Sequence, residues 1–88
     1  MECNCISFHG VMTTDVIKLE EGKFGFILRG ENQEEFPLII VKSNSKPELL
    51  KNDNISAVGY LARYQNDWAI YVYKLLRIPD KEEIEKLT

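Results

Sequence analysis

The sequence has little of what catalytic sites need. It contains one histidine, His9, and a histidine without a partner carboxylate or serine is a poor candidate for acid–base or nucleophilic catalysis. The sequence also has no glycine-rich phosphate loop and no nucleophile elbow. We therefore expect a protein that is not an enzyme.

Cysteine is scarce as well, with two residues in the chain. Cys3, Cys5 and His9 fall on one face of a predicted strand, but no further ligand pair occurs elsewhere, so we expect neither a metal site nor a cofactor. The two cysteines are separated by one residue of extended chain, which is unfavourable for a mutual disulfide. We expect free thiols in a reducing compartment.

Long hydrophobic runs are absent too. No stretch of about 18 apolar residues occurs, and the first residues lack the pattern of a signal peptide. We expect a cytoplasmic protein that does not enter membranes. The length of 88 residues with 44% hydrophobic content suits one core, so we expect one domain over residues 1–78 and a short helix or tail over residues 79–88.

The chain also lacks the excess of positive charge that is typical of duplex-binding proteins. Its net charge is −3, from 11 basic and 14 acidic residues. Four of the acids lie at positions 80, 82, 83 and 85, so residues 1–78 carry nine basic and ten acidic groups. A nearly neutral body leaves room for a local basic stripe that contacts nucleic acid.

Two glycines lie in the middle of alternating strands. Gly10 shares a strand face with Ile6, Phe8 and Met12, and Gly59 shares one with Ile55, Ala57 and Leu61. Glycine inside a strand is unfavourable unless the backbone bends sharply or another segment comes close, as at the corners of small barrels. The pair predicts a coiled, closed sheet.

The remaining pattern predicts five strands and one short helix. The strands cover residues 3–12, with a continuation past a bend into 16–19, then 23–29, 38–41, 55–64 and 68–78. The helix falls between residues 43 and 54, with Ser45 as N-cap and Pro47 in its first turn. This order predicts an all-β, five-stranded OB-fold Greek-key barrel with a short helix between strands 3 and 4, and an SH3-like barrel is the alternative.

The first strand resembles that of bacterial single-stranded DNA-binding proteins. The matching positions are Asn4, Ile6, Phe8, Gly10, Met12, Thr13 and Asp15, and residues 50–61 are similar to the fourth strand of that family. The chain has no long linker with an acidic tip, so it looks more like the small primosomal proteins of the same superfamily, or like phage and mobile-element versions. The resemblance implies an OB-fold module that binds single-stranded DNA in replication, recombination or repair.

Candidate ligand contacts are the aromatic and basic side chains expected on the outside of the barrel, because bases stack on aromatic rings and Lys or Arg follow the backbone. If Ile70 and Val72 point inward, Ala69, Tyr71 and Tyr73 point outward. The predicted nucleic-acid-binding residues are Lys23, Arg29, Lys42, Tyr60, Arg63, Tyr64, Trp68, Tyr71 and Tyr73.

Strands and interfaces both favour tyrosine, so these rings could instead cover the sheet or join two subunits. The expected partner is single-stranded DNA, with RNA left open, and the expected assembly is a homodimer or homotetramer. The alternative is a barrel for protein interaction or oligomerisation without nucleic-acid binding. A sugar- or peptide-binding barrel is a third possibility, which is supported only by analogy with other proteins of the same fold.

Overall fold

The computed structural model describes residues 4–79. These residues form seven strands in one sheet with the order β2-β3-β5-β7-β6-β1-β4. Neighbouring strands are antiparallel except β5 and β7, which are parallel. The strands are β1 (Cys5–Met12), β2 (Ile17–Glu20), β3 (Lys23–Phe26), β4 (Leu28–Arg29), β5 (Leu38–Lys42), β6 (Asn54–Tyr64) and β7 (Asp67–Ile78).

The predicted count of five strands is wrong because two of the predicted strands are broken. Residues 13–16 separate β1 from β2, and Ile27 separates β3 from β4. Ile27 is held at the break, since its amide donates to Thr14 Oγ1 at 3.1 Å and its carbonyl accepts from the Thr13 amide at 2.9 Å. On either side of Ile27 the chain changes partners: β3 pairs with β2 and β5, and β4 pairs with β1. The sheet is open, with β2 and β4 at its edges, so the predicted closed sheet is not observed. It is curled nevertheless, because one core cluster joins side chains of β3, next to one edge, with Leu28 of β4 at the other edge.

The predicted helix is also wrong, because residues 43–53 contain no helix. Several of their backbone amides donate to partners outside the segment, and the Asp53 amide donates to the Leu50 carbonyl at 3.0 Å without starting a helix. The Lys51 amide donates to Asp15 Oδ1 at 2.8 Å, and the Asn52 amide donates to the Met12 carbonyl at 2.8 Å. Asn52 has a positive φ of 79°, which interrupts helical geometry. The segment is anchored to the end of β1, and its Leu49 side chain is buried in the core.

The core lies inside the curled sheet and follows the predicted alternation. On β1 the side chains of Phe8 and Met12 are buried, whereas Ser7, His9 and Val11 are exposed. The side chains with almost no exposure are Phe26, Met12, Leu28, Ile39, Ile40, Ile55 and Ile70. All of these except Ile40 belong to the interior cluster. The inward faces predicted for β1 and β6 are confirmed.

Gly10 and Gly59 stand where two backbones meet. A Cβ atom on Gly10 would lie 2.5 Å from the Arg29 carbonyl oxygen, and one on Gly59 would lie 2.3 Å from the Tyr71 carbonyl oxygen. Real Cβ atoms do not approach oxygen so closely, and a backbone atom cannot move aside as a side chain can. Of the two explanations that a glycine inside a strand allows, a sharp bend or the close approach of another segment, the structure shows the close approach at both positions.

A β-bulge in β7 lies beside Gly59. The register passes from Gly59 opposite Val72 to Val58 opposite Lys74, so Tyr73 is the extra residue on β7. A bulge changes which side chains share a face of the strand. Beyond it, Leu75 lies opposite the buried Ala57.

The structure tests the prediction of free thiols at one cysteine, and it does not test the prediction of a C-terminal helix or tail. Cys5 is disulfide-bonded, so the prediction of free thiols is wrong for this residue, and Cys3 lies outside the described part of the chain. The predicted C-terminal helix or tail also lies outside it, apart from Pro79. Within residues 4–79 no helix is long and apolar enough to cross a bilayer.

We expect Gly59→Ala to lower the free energy of unfolding by about 1–3 kcal/mol, because the added methyl group must push the Tyr71 backbone out of the β6–β7 ladder. Urea denaturation measures this change. The control is Ser7→Ala, which alters an exposed position on β1 and should change stability by less than about 0.5 kcal/mol. Equal effects of the two substitutions would contradict the close-approach argument.

Candidate nucleic-acid interface

A second, smaller apolar cluster lies on the outer surface of the sheet, with side chains from β2, β5, β6 and β7. Strand alternation turns Tyr60, Ala62 and Tyr64 of β6 away from the core, and the register places Tyr60 opposite Tyr71 and Ala62 opposite Ala69. Ile40, Ala69 and Tyr71 are buried there, and the partly buried members are Leu19, Leu38, Tyr60, Ala62 and Tyr64. The outer surface is thus a packed layer and not a row of isolated rings.

Three tyrosine rings contact one another on this surface. The centroids of Tyr60 and Tyr71 are 5.5 Å apart with nearly parallel rings at 15°, and those of Tyr60 and Tyr73 are 4.9 Å apart at 40°. Tyr71 is only 8% exposed, whereas Tyr73 is 65% exposed. The expectation that Tyr71 offers a free ring is wrong, because Tyr60 and the neighbouring apolar side chains cover it. Tyr73 is exposed as expected, and its position in the bulge keeps it beside Tyr60.

Two lysines lie over these rings. Lys23 and Lys42 are directly opposite each other on β3 and β5, an arrangement that is repulsive by itself. The Lys23 ammonium lies 5.6 Å from the centre of the Tyr64 ring, and the Lys42 ammonium lies 5.1 Å from the centre of the Tyr71 ring. Each cation–π contact is worth about 0.5–1 kcal/mol at an exposed site, so the rings help to hold both charges in place.

Lys23 has an additional partner in Glu20. Their side chains are 2.8 Å apart, and the hydrogen bond to Glu20 raises the pKa of Lys23 above its usual value. Lys23 therefore stays positively charged at neutral pH. We call the set Lys23, Lys42, Tyr60, Tyr64, Tyr71 and Tyr73 the tyrosine–lysine face.

Arg63 and Trp68 lie on the opposite face of the β6–β7 hairpin. They are paired across the two strands, and alternation places them on the same side as Leu61 and Ile70, which pack in or against the core. The Arg63 guanidinium carbon lies 4.4 Å from the centre of the Trp68 ring, and Arg63 Nη1 donates to the Asn66 carbonyl at 3.2 Å. Trp68 remains 50% exposed, so part of the indole is open to a ligand.

The hairpin tip forms one wall of a concavity of about 790 Å³. Its turn is tight, since Gln65 and Asn66 both have positive φ, as two-residue hairpin turns require. The other walls come from β2 and from the segment that leads into β5. The lining residues are Lys18, Leu19, Ile27, Glu35, Phe36, Pro37, Leu38, Tyr64, Gln65, Asp67, Trp68 and Ala69.

The structure divides the nine predicted residues into three groups. Six form the tyrosine–lysine face, two form the Arg63–Trp68 pair, and Arg29 stands apart on β4, which pairs with β1. Sequence reasoning missed Phe36 and did not select Lys18, although both line the concavity. Phe36 lies just before Pro37, outside any predicted strand, and its packing against Phe8 at 5.6 Å has no local signal. No group of three or more His, Cys, Asp or Glu residues within residues 4–79 could hold a metal ion.

No protein-family model matches the chain, and no curated protein matches it. Solved structures do match. The dimeric N-terminal domain of the PriB protein from Thermoanaerobacter tencongensis has a TM-score of 0.69 and 15% identity, with 88% of this chain and 98% of that chain covered. The chain has an OB-fold.

A Replication Protein A heterotrimer bound to ssDNA contains a similar chain, with a TM-score of 0.69 and 14% identity. The match covers 98% of this chain and 66% of that one. At these identities the similarity shows the fold alone. The predicted OB-fold is thus confirmed as a class, although its strand count and helix are not.

We expect Tyr71→Ala and Tyr73→Ala to differ sharply in their effect on stability. Removing the buried Tyr71 ring leaves a cavity under Tyr60 and should cost about 3 kcal/mol of unfolding free energy. Removing the exposed Tyr73 ring loses only its contact with Tyr60, about 1 kcal/mol or less. Urea denaturation of both variants tests this, and a smaller loss for Tyr71→Ala would contradict the burial of that ring.

Proposed function

We propose that this OB-fold binds single-stranded nucleic acid, with DNA as the expected ligand, and has no catalytic role. The observation that carries the proposal is the pair of lysines held over tyrosine rings on one surface, Lys42 over Tyr71 and Lys23 over Tyr64. Sequence-independent binding of a single strand needs positive charge beside exposed rings. The similarity to a chain of the Replication Protein A heterotrimer bound to ssDNA supports it.

The two kinds of tyrosine have different roles in this proposal. Tyr71 is covered, so it orients Lys42 toward the backbone phosphates and does not stack with a base. Tyr73 and Trp68 expose ring surface and stack with bases, each contact being worth about 1–3 kcal/mol. Because Trp68 lies on the other face of the hairpin, the strand bends around the hairpin tip and enters the 790 Å³ concavity.

The net charge of −3 does not oppose this proposal, because the acids near the tyrosine–lysine face are engaged. Glu20 is bonded to Lys23, and Glu21 is bonded to Lys18 at 2.6 Å. Lys42, by contrast, forms no ion pair within residues 4–79, and its ammonium lies over the Tyr71 ring. Its charge is available for a phosphate.

Oligo-dT of about 15 nucleotides should quench the fluorescence of Trp68, the single tryptophan of the chain, and the affinity should fall with added salt. In anisotropy titrations with labelled oligonucleotide, Trp68→Ala should weaken binding by about 5- to 150-fold. Lys42→Gln should reduce the salt slope by about 0.7. Parallel titrations with oligo-U compare RNA with DNA.

The matched control for Lys42→Gln is Lys46→Gln, which removes an exposed lysine from the β5–β6 connection and should leave both the affinity and the slope unchanged. Absence of quenching and of an anisotropy change at low salt would contradict nucleic-acid binding. A folded protein with that result would support the alternative of a protein-interaction module.

We also propose that the protein self-associates as a homodimer or homotetramer through outer sheet surface. Three apolar side chains lie where β6 is paired with both β1 and the last part of β7: Val58, Leu76 and Ile78. Leu76 is 62% exposed, and Ile78 is 38% exposed. The register places Leu76 opposite Ser56, and Ser56 opposite His9, so the apolar surface lies beside outward-facing residues of β6 and β1. The dimeric PriB domain has the same fold. The predicted cytoplasmic location stays a prediction.

Leu76→Asp should shift the protein toward the monomer in analytical ultracentrifugation, because a charge at the centre of an apolar contact is unfavourable. Leu50→Asp is the matched control, since Leu50 is 67% exposed but lies in the β5–β6 connection. A wild-type protein that sediments as a monomer at every concentration would contradict self-association.

A further inference from the structure

A second concavity lies away from the tyrosine–lysine face, where β1 ends. Its volume is about 590 Å³, and it contains two of the basic side chains, Arg29 and Lys51. The lining residues are Val11, Met12, Thr13, Arg29, Gly30, Glu31, Gln33, Lys51 and Asn52. We call it the Arg29–Lys51 concavity.

The backbone holds the two cations on opposite sides of the same short stretch of β1. Arg29 is paired with Val11 on one edge of β1. On the other edge the Met12 amide donates to the Asp53 carbonyl, and the Asn52 amide donates to the Met12 carbonyl, which positions Lys51 next to Asn52. Strands lie about 5 Å apart, so the segments that carry Arg29 and Lys51 are separated by roughly two strand spacings.

The carboxylates around this concavity have other partners. Glu31 Oε1 lies 3.5 Å from His9 Nε2, and Glu34 Oε2 accepts a hydrogen bond from the Asn32 amide at 3.0 Å. On the other side, Asp15 accepts from the Lys51 amide, and Asp53 Oδ2 accepts from the Leu50 amide at 2.8 Å.

Within residues 4–79 neither Arg29 nor Lys51 forms an ion pair through its side chain. The two unpaired cations attract an anion, and Glu31 is the single carboxylate among the lining residues of the concavity.

We propose that the Arg29–Lys51 concavity is a phosphate-binding site. The Arg29 guanidinium presents a planar set of donors that suits two phosphate oxygens, and the Lys51 ammonium adds a mobile charge from the opposite wall. The exposed side chain of Asn52 adds a neutral donor at the rim. The phosphate group belongs either to the backbone of a bound single strand or to a small phosphorylated molecule, and only the first source rests on the proposed function.

Inorganic phosphate tests the site without any nucleic acid. In ¹H–¹⁵N spectra at constant ionic strength, phosphate should cause saturable shifts of the Thr13, Gly30 and Asn52 amides. The double variant Arg29→Gln/Lys51→Gln should lose these shifts, and Lys46→Gln should keep them. Both altered side chains are exposed, and the spectra of the double variant report directly whether it is folded.

Titration of the same variants with labelled oligo-dT identifies the source of the phosphate. A salt slope that falls by about 0.7 in the double variant assigns the site to the backbone of a strand. An unchanged slope together with saturable phosphate shifts assigns it to a small phosphorylated molecule. Shifts that do not saturate, or that persist in the double variant, would overturn the proposal, whatever the result for Trp68 quenching.

Discussion

The close approach of backbones at Gly10 and Gly59 is the constraint on which the rest of the structure depends. At each position a Cβ atom would lie within 2.5 Å of a carbonyl oxygen of a neighbouring strand. Without a side chain there, β1 can reach β4, and β6 can reach the bulged part of β7. Both contacts are needed for the sheet to curl around its core, because they lie at the points where strands change direction or register.

The bulge at Tyr73 shapes the tyrosine–lysine face. Its extra residue lets Tyr73 stay with Tyr60 and Tyr71 on the outside, while Leu75 and Val72 still pack against the core. Without the bulge, regular alternation would place Leu75 on the same face as Tyr71 and Tyr73, and Leu75 could not pack against the core. The outer rings then have two environments, since Tyr71 is covered and Tyr73 is open. In the proposed function, Tyr71 supports a lysine and Tyr73 stacks with a base.

The charged side chains of this small acidic protein act mainly on their immediate neighbours. Ion pairs such as Lys18–Glu21 and Lys23–Glu20 neutralise most of the charge near the β2–β3 turn. Lys42 on one surface, and Arg29 and Lys51 at the end of β1, have no such partners in the described part of the chain. Positive charge without an ion-pair partner thus lies at both of these places, and a net charge of −3 says little about either one.

The sequence by itself determined where the extended segments lie, the inward faces of β1 and β6, and the need for glycine at two points, because alternation and the size of a side chain are local properties. It did not show the breaks that divide two of these segments into four strands. It also pointed to the aromatic and basic residues of the outer surface. Only the tertiary structure decided that residues 43–53 form no helix, since their backbone bonds go to Met12 and Asp15. The tertiary structure alone also decided that Tyr71 is buried, that Trp68 lies on the other face of the β6–β7 hairpin, and that Arg29 lies apart from the other predicted residues. Each of these depends on which strand lies next to which, and sequence spacing carries no record of a partner that is dozens of residues away.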